Sequence, residues 1–291
     1  MKRTLTPSNP DAILCSDIHL REDTPTCRTD DYQMAQWKKV EFLYNLQEKY
    51  ECPVLHAGDL FHHWKPSPQL LSTTILHLPE SFLTIYGQHD LPQHNFELRN
   101  KSGIYTLDTD KTIGVLPTCH WGQEPDKPSR ILSGKNILVW HKMVWQGEKL
   151  WPDQTDPSAA KLLRKYSQFS LILTGDNHQP FVEEYEGRLL VNPGSMMRMT
   201  ADQIDHRPRV YLWYAADNIV TPVYLPIEQG VISREHIEHT QERDGRIDAF
   251  ISKLDNDWEA AVSFEENLKR FEGTNKVRKS VMEIVYKAIE V

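Results

Sequence analysis

Five apolar runs of strand length in this chain each stop at a side chain that can ligate a metal. Ala12–Cys15 leads into Asp17-Ile18-His19, and Pro53–Leu55 into Gly58-Asp59. Phe82–Tyr86 leads into Gly87-Gln88-His89-Asp90, Ile137–Trp140 into His141, and Leu171–Thr174 into Gly175-Asp176-Asn177-His178. In an α/β sheet, ligand sites form beyond the carboxyl ends of the strands. Five such ends would gather carboxylates, imidazoles and an amide in one place. That donor mixture suits Mn, Fe or Zn, and it exceeds what one ion needs.

The segments between the runs read as helices. From Asp31 to Tyr50, the residues Met34, Trp37, Val40, Leu43 and Leu46 fall near helical spacing. Ser67-Pro68 is an N-cap and first-turn pair opening a helix through Leu76, and Asp156-Pro157 repeats the signal before Ser158–Tyr166. This alternation predicts βαβ units. From Phe181 the texture changes to strands. Phe181–Tyr185 and Arg188–Val191 flank Glu186-Gly187, and Val210–Tyr214 and Ile219–Leu225 flank Asp217-Asn218. Both are hairpin signals, expected to build a second sheet behind the first, with Pro222 on an edge strand. From about Gln229 the chain is charged and helical in pattern. The expected division is residues 1–228 and a C-terminal segment, 229–291.

Length and composition suit an enzyme with one large domain, or one plus an appendage: 291 residues, 39% of them apolar. No apolar stretch reaches membrane-span length, and the basic opening MKRTLTPSNPD has no apolar signal core. The four cysteines are scattered without a CxxC pair, as in a reducing cytosol. The expected location is therefore the cytoplasm, the host's if the chain is viral. A net charge of −8 argues against a general polyanion binder and confines any nucleic-acid contact to a local basic groove.

In order and separation, Asp17-Ile18-His19, Gly58-Asp59, Gly87-Gln88-His89-Asp90, His141 and Gly175-Asp176-Asn177-His178 resemble the signature of the calcineurin-like metallophosphoesterases. The resemblance covers about Ile13 to Ser195. The run from Gly58 to Pro68, with His62 inside it, looks like the GDLFH segment of SbcD-type DNA repair nucleases. The Val-Asp-Arg-Gly run of Ser/Thr protein phosphatases is absent. Val191-Asn192-Pro193-Gly194-Ser195 resembles the N-P-G-S turn of nuclease-type members.

The resemblance implies a four-layer α-β-β-α sandwich with a short helical tail, and two divalent ions, Mn first, with Mg, Fe or Zn as alternatives. Two ions about 3.5–4 Å apart offset phosphodiester charge, supply the nucleophile and orient in-line attack. Asp59 matches the bridging position. Asp17, His19 and His178 match ligands of the first ion, and Gln88, His141 and Asp176 those of the second. His89 matches the histidine that contacts phosphate or protonates the leaving oxygen. Asp90 is expected to orient the His89 imidazole, and His62 to position the scissile phosphate. Two residues depart from the family pattern: Gln88 replaces an asparagine and Asp176 a histidine. Both fall on the second ion, whose site is expected to be weaker.

Other histidines have blander readings. His56 lies inside a strand run and is expected to be packed, His94 is a loop residue near the site, and His120, His206, His236 and His239 are expected at the surface. In the tail, Val277, Val281, Met282, Val285, Tyr286 and Ile289 recur at helical spacing. Lys269, Arg270, Lys276, Arg278 and Lys279 form a basic cluster. The resemblance implies DNA as substrate and an SbcC-like ATPase as tail partner; a homodimer contact and a tail that simply closes the chain's own core stay open. It implies DNA phosphodiester hydrolysis, as exonuclease, endonuclease or both, in repair, recombination or replication. A phosphomonoesterase or cyclic-nucleotide phosphodiesterase, and a non-catalytic scaffold supported by Gln88 and Asp176, stay open as alternatives.

Overall fold

The computed structural model describes residues 9–125, 134–149, 151–235 and 264–289, together with 237, 243, 246 and 247. His236 and His239 lie outside the described residues. The chain divides into two compact units, Met1–Ser233 and Arg234–Val291. Residues 229–233 go with the first unit: Ile232 bridges to Arg28, and the Ser233 N–H donates to the Cys27 carbonyl at 2.7 Å.

In the first unit, β1 (Ala12–Cys15), β2 (Val54–His56), β3 (Phe82–Thr84) and β4 (Gly114–Val115) run parallel. Between them lie α1 (Tyr32–Tyr50), α2 (Pro68–His77) and α3 (Gly103–Asp110). A second sheet takes β5 (Ile137–His141), β6 (Leu171–Gly175), β7 (Phe181–Tyr185) and β8 (Arg188–Asn192) in the order β5-β6-β8-β7, with α4 (Ala159–Lys165) between β5 and β6. The last hairpin, β9 (Arg209–Tyr214) and β10 (Ile219–Tyr224), returns to the first sheet, giving the order β10-β9-β1-β2-β3-β4.

That return corrects the expectation that both late hairpins form the second sheet. β9 pairs antiparallel with β1, with Ala12 opposite Trp213 and Leu14 opposite Tyr211, which closes an edge that β1 would otherwise leave open. Pro222 sits in β10, the outermost strand, where its missing N–H costs no ladder bond.

Strand alternation sorts the core into layers. Ile13, Cys15, Val54, Phe82 and Leu212 face Val40, Leu43, Leu70 and Leu107 of α1, α2 and α3. Their neighbours Ala12, Leu14, Leu55, Tyr211 and Trp213 face Val139, Leu171, Leu173, Leu189 and Val191 of the second sheet. On that sheet's far side, Leu138, Trp140, Ile172 and Leu190 pack on Ala159, Leu162 and Leu163 of α4. The result is the four-layer α-β-β-α sandwich.

The helices start at side-chain caps. Asp31 accepts from the Met34 N–H at 2.9 Å and Ser67 from the Leu70 N–H at 3.1 Å, with Pro68 in the first turn. For α4 the cap is Ser158, two residues past Asp156, accepting from the Lys161 N–H. On α1 the buried face includes Gln36, Lys39 and Gln47, whereas Met34 points outward, 51% exposed. In the second unit, α5 (Phe264–Thr274) and α6 (Lys279–Ile289) are helical, with Leu268 and Met282 buried and Val281 and Ile284 exposed. No described helix is long and apolar enough to cross a membrane. All four cysteines are buried.

Asn218, in the β9–β10 turn, stitches the sheets together. Its amide donates to the carbonyls of Ser170 and Gly187 at 2.9 and 2.8 Å, and its oxygen accepts from the Trp213 indole at 3.0 Å. Its φ is +53°. Asn218→Ala leaves the buried indole N–H without an acceptor and puts alanine in the left-handed region, so urea denaturation should show a loss of about 2–4 kcal/mol. Asn218→Gly should lose about 0.5–1 kcal/mol less, since glycine accepts that φ. A loss under about 0.5 kcal/mol in Asn218→Ala would show that the stitch is idle.

Candidate metal centre

Past the ends of β1 and β2, backbone bonding between the two neighbours continues beyond the ladder. The Asp17 N–H donates to the Gly58 carbonyl at 3.1 Å, and the His19 N–H to the Asp59 carbonyl at 3.0 Å. Asp17, His19, Asp59 and Asp176 all have positive φ, between +49° and +79°. Left-handed backbone is costly for such residues and gathers where surroundings hold it for function. Here each turn swings a side chain across the strand end.

Three ligand-atom groups result, each within 4.8 Å: Asp17, His19 and His178; Asp17, Asp59 and His141; and His19, His62 and His89. His19 Nε2 lies 3.2 Å from His178 Nε2 and 3.7 Å from Asp59 Oδ2. Asp59 Oδ2 also lies 3.4 Å from His141 Nε2. His141 Nδ1 is 2.6 Å from the Ala57 carbonyl; a carbonyl only accepts, so Nδ1 carries a proton and Nε2 is the ring nitrogen turned toward Asp59. Asp17 Oδ2, Asp59 Oδ2 and His141 Nε2 are buried without a hydrogen-bond partner. Buried polar atoms are nearly always satisfied. Three orphans in one converging group of oxygen and imidazole donors fit a divalent cation that would complete them.

The electrostatics match. Burial pushes the Asp17 carboxyl up to about 6, against the pull of His178 and His141. Burial also works against an ionised Asp59, but His141 and His19 outweigh it and hold that carboxyl well below the usual range. Burial drives His19 down; at His141 burial also pulls down, but Asp59, Asp17 and Asp176 together outweigh it and raise that imidazole to about 10, so Nε2 holds a proton that a bound cation would displace.

Asp90 stands elsewhere than expected. Its Oδ2 accepts from the N–H groups of Asp59, Leu60 and Gly87 at 2.8, 3.3 and 3.0 Å, and its Oδ1 from Phe61 at 3.1 Å. It shapes the turn carrying Asp59. The His89 ring is oriented instead by the His62 carbonyl, 2.9 Å from Nδ1, which leaves Nε2 facing outward from that bond. The His62 and His89 rings stack at 5.3 Å, and burial, then Arg21, brings His62 down to about 4. The two residues that depart from the family pattern meet each other: Gln88 Nε2 donates to Asp176 Oδ1 at 3.1 Å. Asp176 belongs to none of the three groups above; it contributes its backbone N–H to Asp17 Oδ1 at 3.1 Å.

Close packing permits no side chain at Gly87, where a Cβ would come within 2.1 Å of Asp59 Oδ1. The N-P-G-S turn braces the centre from behind. Gly194 has φ +74° and sits where a Cβ would meet the His178 carbonyl at 2.6 Å. Around it, the Ser195 N–H donates to the His178 carbonyl at 3.2 Å, Ser16 Oγ to the Gly194 carbonyl at 3.2 Å, and the Met196 N–H to the Asp17 carbonyl at 3.1 Å. Asn192 donates to the Asn177 and Gln179 carbonyls. Pattern reading found that turn but not its bracing work.

Of the other histidines, His56 is packed, bonded to Thr84 at 2.8 Å. His120, expected at the surface, is 5% exposed, brought down to about 4 by burial, and accepts from the Tyr86 N–H. His206 is half-buried against the Ser195 carbonyl. His94, exposed beside Trp121, donates to the Gln88 carbonyl at 3.1 Å.

Comparison with known proteins adds two likenesses. The chain is 25% identical over 217 residues to the "DNA double-strand break repair protein Mre11" of Haloferax volcanii, covering 65% of this chain and 48% of that protein. It thus spans about half the length of that relative. A solved structure described as "Structural and Functional Characterization of a Novel Archaeal Phosphodiesterase" aligns over 74% of this chain and 99% of its own, at 13% identity and a TM-score of 0.41. Residues 11–210, more than half of the chain, match the family model described as "Calcineurin-like phosphoesterase superfamily domain", and the chain belongs to that superfamily.

Proposed function

We propose that the cluster is a dinuclear metal centre that hydrolyses DNA phosphodiester bonds. The observation that carries the reading is the stacked His62–His89 pair beside the Asp17, His19, Asp59, His141 and His178 donors. The likeness to a protein named for DNA double-strand break repair supports DNA as the substrate. Asp59 would be shared by both ions, Asp17, His19 and His178 would hold the first, and His141 with Gln88 and Asp176 the second. When bound, two divalent ions would offset the phosphate charge and lower the pKa of the attacking water. The Asp176 carboxylate in place of a softer imidazole favours Mn.

The protein's own groups then do the following. With Nδ1–H held by the His62 carbonyl, His89 Nε2 is free to carry a proton to the leaving oxygen. His62, stacked against it, limits ring rotation. The Gln88–Asp176 bond occupies one carboxylate oxygen and leaves the amide oxygen and the other carboxylate oxygen as donors. In the tail, Lys269, Arg270, Lys276, Arg278 and Lys279 are exposed, a surface for DNA phosphates. The exposed Val281 and Ile284 of α6 would take an SbcC-like ATPase or a second copy of the chain. Such a protein acts where the chromosome is, in the cytoplasm of a prokaryotic or infected cell.

His89→Ala should keep its metal content and fold while turnover on DNA falls about 10²–10⁴-fold; an unchanged rate would make the ring structural. Asp90→Asn separates two roles. If Asp90 shapes the Asp59 turn, the variant should lose about 10–100-fold in metal affinity, read by titration of the metal-free protein. Full affinity with depressed turnover would return Asp90 to the imidazole.

The substrate is tested with end-labelled single- and double-stranded DNA in Mn, Mg or chelator. DNA should be cleaved far faster than p-nitrophenyl phosphate, with binding that weakens steeply with salt. Neutralising the five basic tail residues should lower DNA affinity and leave ester hydrolysis unchanged. Efficient ester hydrolysis with no DNA cleavage in any metal would favour the phosphomonoesterase reading.

A further inference from the structure

A second collection of charges lies apart from the metal centre. A cavity of about 110 Å³ is lined by Arg28, Lys38 and Lys39 on one side and by Arg198 and Glu228 on the other. None of the candidate metal ligands lines it. Three of its cations are almost wholly inside the protein: Arg28 is 8% exposed, Lys39 3% and Arg198 2%.

The cations outnumber their counter-ions. Arg28 is paired with Asp30 through Nε and Nη2, and Lys38 with Glu228 at 3.6 Å on the exposed rim. Lys39 and Arg198 have no carboxylate within ion-pair distance among the described residues. Lys39 Nζ donates to the Met196 carbonyl at 2.8 Å, and Arg198 donates to the carbonyls of Ile204 and Glu228. Arg198 Nε is buried with no acceptor. Carbonyl dipoles satisfy some donors without cancelling the charge, and a buried charge without a partner is strongly unfavourable. Burial, then Arg28 and Arg198, brings the Lys39 amine down to about 7, the mark of a site short of negative charge.

We propose that this cavity binds a phosphate group, held by Arg28, Lys39 and Arg198. Two uncompensated cations match a dianion. A tetrahedral oxyanion offers acceptors in several directions at once, to the remaining Lys39 N–H groups, to the second N–H of each Arg198 Nη and to those of the Arg28 head that Asp30 and the Arg198 carbonyl leave over. The small volume admits the group itself and leaves anything attached to it at the rim beside Lys38. The group is therefore either free inorganic phosphate or the terminal phosphate of a nucleic acid end. Binding at the cavity does not depend on the substrate proposed for the metal centre.

The test is thermal unfolding of the full chain, with chelator to silence the metal centre, in rising inorganic phosphate against chloride at matched pH and ionic strength. A ligand that binds only the folded state raises the melting temperature in a saturable way. The expected result is a phosphate-specific rise that survives chelator and disappears in Arg198→Gln and in Lys39→Met. A parallel arm compares a short oligonucleotide with and without a 5′-phosphate. A further rise from the phosphorylated one identifies a nucleic acid end, and a rise with inorganic phosphate alone identifies the free ion. No rise beyond chloride, or a rise that both variants retain, overturns the proposal. Should the variants not fold, hydrogen exchange on the wild-type chain decides. Phosphate should slow exchange at residues 196–199 and 227–229; slowing confined to residues 17–19, 59 and 87–90, or none, overturns it.

Discussion

Four backbone N–H groups, from Asp59, Leu60, Phe61 and Gly87, converge on the buried Asp90 carboxylate. The candidate centre hangs from that anchor. Hydrogen bonds to an ionised acceptor are roughly twice as strong as neutral ones, and four of them hold Asp59 in a left-handed conformation that no regular strand exit would adopt. With Asp59 fixed, Oδ1 takes the His89 N–H and Oδ2 is left between His19 and His141. A carboxylate spent on shaping backbone is what makes the neighbouring carboxylate available for chemistry. Burial and the charge of Asp59 push the Asp90 carboxyl up to about 7, while the bonds from the Gly87 and Phe61 N–H groups pull it back toward the ionised form.

Packing between the sheets brings these parts together. Ala12, Leu14 and Leu55 of one sheet press on Val139, Leu171 and Leu173 of the other, with roughly 1.5–3 kcal/mol for each large side chain taken from water. That contact sets the ends of β1 and β2 beside those of β5 and β6. The N-P-G-S turn then locks the arrangement, since residues 192–196 bond both the Asp17 and the His178 loops. The pairing of Gln88 with Asp176 suggests a matched exchange. A longer amide and a shorter acid fill the space between two loops as an asparagine and a histidine would, while keeping oxygen donors there.

Much of this was legible in the sequence because strand exits have a strong local signature. An apolar run followed at once by Asp or His is visible without any contact information, and all ten candidate site residues lie at such exits or just beyond them. What was not legible depends on partners far along the chain. Hairpin residues at Asp217-Asn218 signal a turn but not which sheet it joins, so β9–β10 was expected behind the first sheet and instead covers the edge of β1. Asp90 next to His89 reads as an orienting acid, yet its bonds run to residues 59–61, about thirty positions earlier. His120 reads as a surface residue from polarity, and its burial follows only from neighbours brought up by the fold. Polarity predicts exposure on average; the exceptions are informative about function.

The central claim is that Asp59 is the shared ligand of two ions. It is tested most directly by counting metal ions per chain in wild type and in Asp59→Ala after loading with Mn and removal of unbound metal, with circular dichroism to confirm folding. The account predicts two ions per chain in wild type and essentially none in the variant. A folded Asp59→Ala protein that keeps the wild-type complement would contradict it.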